Sequence, residues 1–105
     1  MTTSLTKLTK AVDNYRNATN PTQRDAARRF AGKRAEGLAA ERDVIMHRLA
    51  AGDDWLTAHP DHPDHDSTEE LWLADLVDYE LAEDALANAF SIFTGCDDVQ
   101  ERRAA

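Results

Sequence analysis

The chain has 105 residues, of which 12 are basic and 20 are acidic, so its formal net charge is −8. This length accommodates one small domain, and the negative charge makes nucleic acid an unfavourable partner for the surface as a whole. A single cysteine excludes an intrachain disulfide. No apolar run has the length of a signal peptide core or of a membrane span, so we expect a cytoplasmic protein with no membrane partner.

Charge is divided unevenly along the chain. Residues 1–50 contain 10 basic and 5 acidic side chains, whereas residues 51–105 contain 2 basic and 15 acidic ones. Between Asp53 and Asp98 there is no lysine or arginine. The acidic excess is too large to be balanced by pairing within the chain, which predicts an acidic surface that faces water or a cationic partner.

Recurrent apolar spacing predicts helices along most of the chain, and no segment alternates apolar and polar residues as a strand does. The first helix is predicted at about residues 4–18. Ser4 stands where an N-cap is expected, and Pro21 favours a helix end shortly before it. The apolar face of this helix consists of Leu5, Leu8, Val12 and Tyr15.

The second helix is predicted at about residues 22–51. Thr22 and Asp25 resemble a capping box at its start, and Gly52 is the expected C-terminal cap. Arg34 and Glu41 fall within an otherwise apolar stripe, which consists of Ala27, Phe30, Ala31, Leu38, Ile45 and Leu49.

The third helix is predicted at about residues 68–94, after a loop at residues 52–67. Ser67 and Glu70 form a capping box ahead of an apolar run. Spacings of three and four then mark a seam for packing against another helix: Trp72, Leu76, Tyr79, Glu83, Leu86, Phe90 and Phe93. The short connection favours an antiparallel pair, in which Arg34 is expected near Glu83 or Leu86.

The predicted fold is therefore a single all-α domain over residues 1–105. It is a long antiparallel helical hairpin with a shorter N-terminal helix, similar to a three-helix bundle. A second apolar row on the third helix is formed by Leu73, Val77 and Leu81, and it is expected to be buried against another surface. We expect the first helix to pack on this row; the alternatives are a second copy of the chain or a partner protein.

The loop contains three histidines at a period of three, interleaved with aspartates, which are ordinary ligands of zinc and related ions. The possible ligands are His59, His62, His65, Asp61 and Asp64. In the extended conformation that proline favours, neighbouring histidines lie about 9 Å apart, too far to share an ion. Turns at the prolines would shorten that distance. We interpret the segment as a polar connector and predict no cofactor.

Two other charged clusters are candidate sites. Five carboxylates resemble those that hold magnesium in nucleotide pyrophosphohydrolases of the MazG type, although a third Glu is missing from the first motif and Glu83 replaces an Asp in the second: Glu69, Glu70, Glu80, Glu83 and Asp84. Five basic residues of the second helix are spread around its circumference rather than forming a nucleic-acid-binding stripe: Arg24, Arg28, Arg29, Lys33 and Arg34.

One resemblance concerns the loop and the third helix. It is carried by Trp55-Leu56, Pro60-Asp61-His62-Pro63, Leu76, Tyr79-Glu80 and Asp84-Ala85-Leu86. These residues resemble a pattern in small, uncharacterised helical proteins of actinobacteria and their phages. The resemblance covers residues 55–86 and implies a bacterial or phage origin, without implying an activity.

The sequence predicts a non-catalytic protein–protein interaction module, such as a phage-encoded or regulatory inhibitor or adaptor whose acidic surface could mimic DNA. Its partner would be another protein with a basic surface, or a second copy of the chain. The expected partner-binding residues are Asp75, Asp78, Glu80, Asp84, Leu73, Val77 and Leu81. One alternative is a metal-binding protein or metal-dependent enzyme that uses the His-Asp loop or the carboxylates of the third helix. The other is a nucleic-acid binder that uses the basic second helix.

Overall fold

The computed structural model describes residues 2–94, which form three α-helices and, over that range, no strand. The helices are α1 (Thr2–Asn17), α2 (Pro21–Ala58) and α3 (His65–Phe93). Residues distant in sequence meet in antiparallel order along α2 and α3, since Leu49 contacts Trp72 and Arg28 contacts Phe93. The prediction of an all-α hairpin with a shorter N-terminal helix is confirmed.

The start of α2 is capped by Asn20 rather than by the predicted pair of Thr22 and Asp25. The Asn20 Oδ1 atom accepts a hydrogen bond from the backbone nitrogen of Gln23 at 2.8 Å. The Gln23 side chain reaches back to the backbone nitrogen of Thr19 at 3.2 Å. Pro21 occupies the first turn, where its missing N–H costs nothing.

The second helix does not end at Gly52, as predicted, but continues to Ala58. Gly52 instead allows a close approach of α3, because a Cβ atom there would lie 2.7 Å from Cδ1 of Trp72. The indole nitrogen of Trp72 donates to the carbonyl oxygen of Leu49 at 2.8 Å. Residues 53–58, predicted as part of the loop, therefore extend the hairpin by almost two turns.

Both serines predicted as N-caps lie inside helices. The Ser4 hydroxyl donates to the Glu41 carboxylate of α2 at 2.8 Å, so it links α1 to α2. The Ser67 hydroxyl donates to the carbonyl oxygen of Asp64 at 3.0 Å, because α3 begins at His65, earlier than predicted. Asp64 takes the N-cap position without a side-chain cap bond.

The core lies where all three helices meet. Large side chains of α1 are inserted against small and medium residues of the hairpin: Leu8, Val12 and Tyr15 against Ala27, Ala31, Leu38, Ala82, Ala89 and Ile92. Fully burying one such large side chain contributes about 1.5–3 kcal/mol to stability. Phe30 and Phe90, predicted on the packing stripes, are exposed. The alanines of α3 replace Phe90 in the core because they face α1 as well as α2.

The predicted pairing of Arg34 with Glu83 or Leu86 is wrong. Arg42 is the partner of Glu83, with 3.0 Å between Nη1 and Oε1, whereas Arg34 is exposed. Arg48 is paired with Asp75 one step further along the hairpin. The difference arises because the contact of Leu49 with Trp72 sets the register, and that contact places Glu83 opposite Arg42, two turns beyond Arg34.

The first helix covers only part of the hairpin. Its 16 residues span about 24 Å, whereas the 29 residues of α3 span about 43 Å. The Ser4–Glu41 bond marks one end of the covered part. We call residues 21–41 and 82–93, with α1, the proximal half, and residues 42–81 the distal half.

The row formed by Leu73, Val77 and Leu81 lies in the distal half and is exposed. The expectation that α1 covers it is therefore wrong, because α1 is too short to reach it. No helix within residues 2–94 combines the length and the apolar character that crossing a bilayer requires.

Candidate protein-binding surface

Large apolar side chains are exposed on one side of the distal half. Leu71 is the most exposed of them, at 71%, and the others are Val44, Val77 and Leu81. We call these four residues the distal face. Leu73 lies one turn before Val77, at its outer edge. Met46 is exposed too, but it follows Val44 by two residues and so points to another side of α2.

On α3, the distal face continues the surface that α1 covers in the proximal half. Asn88 marks that surface, because its Oδ1 atom accepts a hydrogen bond from Arg16 of α1 at 2.8 Å. Leu81 and Val77 precede Asn88 by seven and eleven residues, which are two and three helical turns. Leu71 precedes the buried Ala89 by eighteen residues, or five turns. Leu81 and Val77 therefore continue the line of Asn88, and Leu71 continues the line of Ala89, about 100° further around α3.

The same continuity holds on α2. Ala26 lines a small cavity together with Asn14 and Asn17 of α1, and Val44 follows Ala26 by eighteen residues, or five turns. Arg48 follows Glu41, the partner of Ser4, by two turns. The groove between α2 and α3 thus runs from the proximal into the distal half, with α1 in the first part alone.

The charge of the distal half is strongly negative. Residues 42–81 contain eleven acidic and two basic side chains. Both arginines are bound to carboxylates, Arg42 to Glu83 and Arg48 to Asp75. The hydrogen bonds to Asp75 raise the pKa of Arg48, and the negative charges of Asp75 and Asp78 add to this effect. The two arginines offset only two negative charges, so residues 42–81 keep a formal net charge of −9.

The four predicted acidic contacts have different surroundings. Asp75 is engaged with Arg48, at 2.8 Å between Oδ1 and Nη2, and its side chain is 27% exposed. Asp78 is half-buried beside it on the same helix, whereas Glu80 and Asp84 are exposed. Asp84 lies two turns after Val77, so it flanks the distal face directly. The structure thus leaves Glu80 and Asp84 as the most accessible of the four.

The His-Asp loop is a pair of successive turns rather than an extended segment. The backbone nitrogens of His62 and His65 donate to the carbonyl oxygens of His59 and His62 at 3.3 and 3.0 Å. Trp55 packs against this loop, with its ring 4.7 Å from that of His59 and 5.0 Å from that of His62. The prediction of a connector is consistent with this packing at the end of the hairpin.

Two of the three histidines use a ring nitrogen within the loop. The Nδ1 atom of His59 lies 2.9 Å from the carbonyl oxygen of Trp55, which it reaches as a donor. The Nδ1 atom of His62 accepts a hydrogen bond from the backbone nitrogen of Asp64 at 3.0 Å. Each ring therefore has one nitrogen committed to shaping the turns.

Within residues 2–94, the structure brings together one group of three possible metal ligands: His65, Asp66 and Glu69. The Nδ1 atom of His65 lies 3.5 Å from Asp66 and 3.8 Å from Glu69. The Asp66 side chain is completely exposed, and the positive end of the α3 dipole opposes a cation there. Asp61 and Asp64, considered from the sequence, are not part of this group.

The remaining charged clusters do not converge on a common point. Among the five carboxylates of α3, Glu83 binds Arg42, Glu69 faces His65, and Glu80 is exposed. The basic residues of α2 face several directions. Arg24 lies over the ring of Tyr15, and Arg28 donates to the carbonyl oxygen of Phe93 at 2.9 Å.

A second apolar surface lies in the proximal half, between α2 and α3. It is a groove of about 440 Å³ formed by Gly32, Ala35, Ala39, Leu86, Phe90 and Phe93, with Glu36 and Arg42 at its edge. Phe90 is 63% exposed there. This groove differs from the distal face because it lacks a row of acidic neighbours along α3.

Sequence reasoning singled out Val77 and Leu81 but missed Val44 and Leu71. A spacing of eighteen residues to Ala26 and Ala89 was present as a signal. This spacing indicates the side on which Val44 and Leu71 lie only when the position of α1 is known.

Comparison with known proteins finds no match, whether with protein-family models, with curated proteins or with solved structures. The resemblance to small proteins of actinobacteria and their phages stays a prediction.

Proposed function

We propose that this protein is a non-catalytic, cytoplasmic protein-binding module that acts as an inhibitor or adaptor through its distal face. The observation that carries the proposal is the open continuation of the α1 groove, where Leu71, Val77 and Leu81 are exposed. A cluster of exposed apolar side chains surrounded by polar residues is typical of recognition sites. The acidic surroundings favour a partner with a basic surface.

The experiment uses the full-length protein with a photo-crosslinking residue at Val77, and a matched version with the same residue at Phe90 in the proximal groove. Partners crosslinked in bacterial lysate at Val77 and not at Phe90 are identified by mass spectrometry. Each is then purified and its affinity is measured directly. The proposal requires that Val77→Ser with Leu81→Ser weakens binding at least tenfold, whereas Phe90→Ser does not.

Two outcomes contradict the proposal. In the first, the purified partner binds the Val77→Ser, Leu81→Ser variant as well as it binds the parent protein. In the second, partners are crosslinked at Phe90 only. Each substitution replaces a side chain that is already exposed, so both variants are expected to fold. Circular dichroism checks that the helix content is kept, which excludes unfolding as the cause of a change in binding.

Metal binding is the second candidate function, and the convergence of His65, Asp66 and Glu69 is the observation that favours it. Elemental analysis of the protein purified without chelator tests it. One equivalent of metal that is lost in both His65→Asn and Glu69→Gln, and kept in His62→Asn, would place metal binding ahead of protein binding. Less than a tenth of an equivalent would eliminate it.

A further inference from the structure

The distal face has the geometry of a docking site for one helix, because the molecule itself already fills the same groove with a helix. In the proximal half, α1 lies along α2 and α3, held by Ser4–Glu41 at one end and by Arg16–Asn88 near the other. By the helical spacings given above, the sides of α2 and α3 that line this groove continue into the distal half. A helix in line with α1 would therefore complete a three-helix bundle along the whole hairpin.

The length of the open groove sets the length of its occupant. Residues 65–81 of α3 span about 25 Å, and a helix of about 16 residues has that length. This is close to the 16 residues with which α1 fills the proximal half. Leu71 and Leu81 are ten residues apart, so the occupant must span at least about 15 Å to cover both.

The side chains that the occupant presents follow from the side chains of α3. In the proximal half, α3 has small residues towards α1, namely Ala82, Ala85 and Ala89, and α1 inserts large ones between them. In the distal half, large side chains lie on this side of α3, namely Leu71, Val77 and Leu81, with Ala74 and the half-buried Asp78 between them. Packed helices keep an interaxial distance of about 8–10 Å, so large residues on one helix require small residues on the other.

The charge of the occupant follows from the flanks of the distal face. Glu70 precedes Asn88 by eighteen residues and Asp84 precedes it by four, so both line the outer side of the groove. Arg48, on the inner side, is held by Asp75. Lysine or arginine side chains along the outer edge of a docked helix would be attracted to Glu70 and Asp84.

From these observations we infer that the distal face binds a basic, alanine-rich helix of about 16 residues, presented by a partner protein, in line with α1. The inference rests on the proposed function, since it names the partner chemistry of the same surface. It commits to a helix of another protein, because two acidic distal faces would repel each other in a symmetric pair of this chain.

The test uses the full-length protein and three synthetic 18-residue helical peptides. The first has an alanine stripe flanked by lysine and arginine, the second has glutamate in place of every lysine and arginine, and the third has leucine in place of the alanine stripe. Titration calorimetry is expected to show that the first peptide binds with one-to-one stoichiometry and at least tenfold more tightly than each of the others. Binding should weaken as salt is raised.

Variants locate the binding site on the protein. Val77→Ser with Leu81→Ser should reduce the affinity for the first peptide at least tenfold, and Glu70→Gln with Asp84→Asn should reduce it threefold or more and flatten the salt dependence. Phe90→Ser is the matched control and should leave the affinity unchanged. Thermal melting of each variant confirms that the fold is kept.

Several results would overturn the inference. These are equal binding of the acidic peptide, tighter binding of the leucine peptide, loss of binding in Phe90→Ser, or a dimer in sedimentation equilibrium that Val77→Ser dissociates. If the peptides fail while a purified natural partner still depends on Val77 and Leu81, the partner chemistry inferred here is wrong and the protein-binding function stands. If both fail, the proposed function is wrong as well.

Discussion

The proximal and distal halves are built from the same two helices, yet they differ in packing and in charge. In the proximal half α1 completes a core in which Leu8 and Leu38 are fully buried. In the distal half two helices pack without a third, and the row that corresponds to the α1 contact is exposed. The acidic excess is concentrated in this second half. The proximal half therefore holds the three-helix core, and the distal half exposes an apolar surface with acidic surroundings.

The largest expected effect compares the same substitution in the two halves. Leu38→Ala removes a fully buried side chain and should lower the free energy of unfolding by about 2–5 kcal/mol, whereas Leu81→Ala should change it by about 0.5 kcal/mol or less. Urea denaturation followed by circular dichroism measures both. Equal losses would mean that the distal face is buried in solution and would remove the distinction between the halves.

Two glycines test how closely the helices approach each other in each half. Gly37 of the proximal half has open space around the position of a Cβ atom, so Gly37→Ala should stabilise the protein by about 0.5–1 kcal/mol. Gly52→Ala should destabilise it by about 1–2 kcal/mol, because the added methyl group meets Trp72. Thermal melting measures the two shifts. Stabilisation by both substitutions would show that α3 does not contact α2 at Gly52.

The hydrogen bond of Trp72 tests whether the distal pair of helices is held in register. Trp72→Phe removes the donor to Leu49 and should cost about 1 kcal/mol of unfolding free energy. Trp55→Phe is the control, since Trp55 stacks on His59 at the loop, and it should cost less than half as much. Urea denaturation provides the comparison, and an equal or larger cost for Trp55→Phe would contradict the assignment.

The smallest expected effect concerns the ion pair near the boundary of the halves. A double-mutant cycle between Arg42→Ala and Glu83→Ala should give a coupling of about 0.2–1 kcal/mol, because the pair is partly exposed. The same cycle between Arg34→Ala and Glu83→Ala should give no coupling. If Arg34 were coupled to Glu83 and Arg42 were not, the register of α2 against α3 would differ by two turns from the one described above.

The helix ends show where local sequence patterns were insufficient. The predictions for Ser4, Gly52 and Ser67 each followed a sound capping rule, and each residue is used differently. Ser4 bonds to Glu41, thirty-seven residues away in sequence, and Gly52 makes room for Trp72. A capping rule considers only a few neighbouring residues, so it cannot take into account a competing contact from another helix.

Apolar spacing was sufficient to predict three helices, the antiparallel hairpin and most of the core stripe of α2. The reason is that residues three and four apart lie on one face of a helix, so the pattern is local in sequence. The exposed row at Leu73, Val77 and Leu81 was also visible as an apolar row. Its exposure was not, because coverage depends on how far α1 extends along the hairpin. That extent follows from the register of helices separated by dozens of residues, which is a property of the assembled packing and not of any single segment.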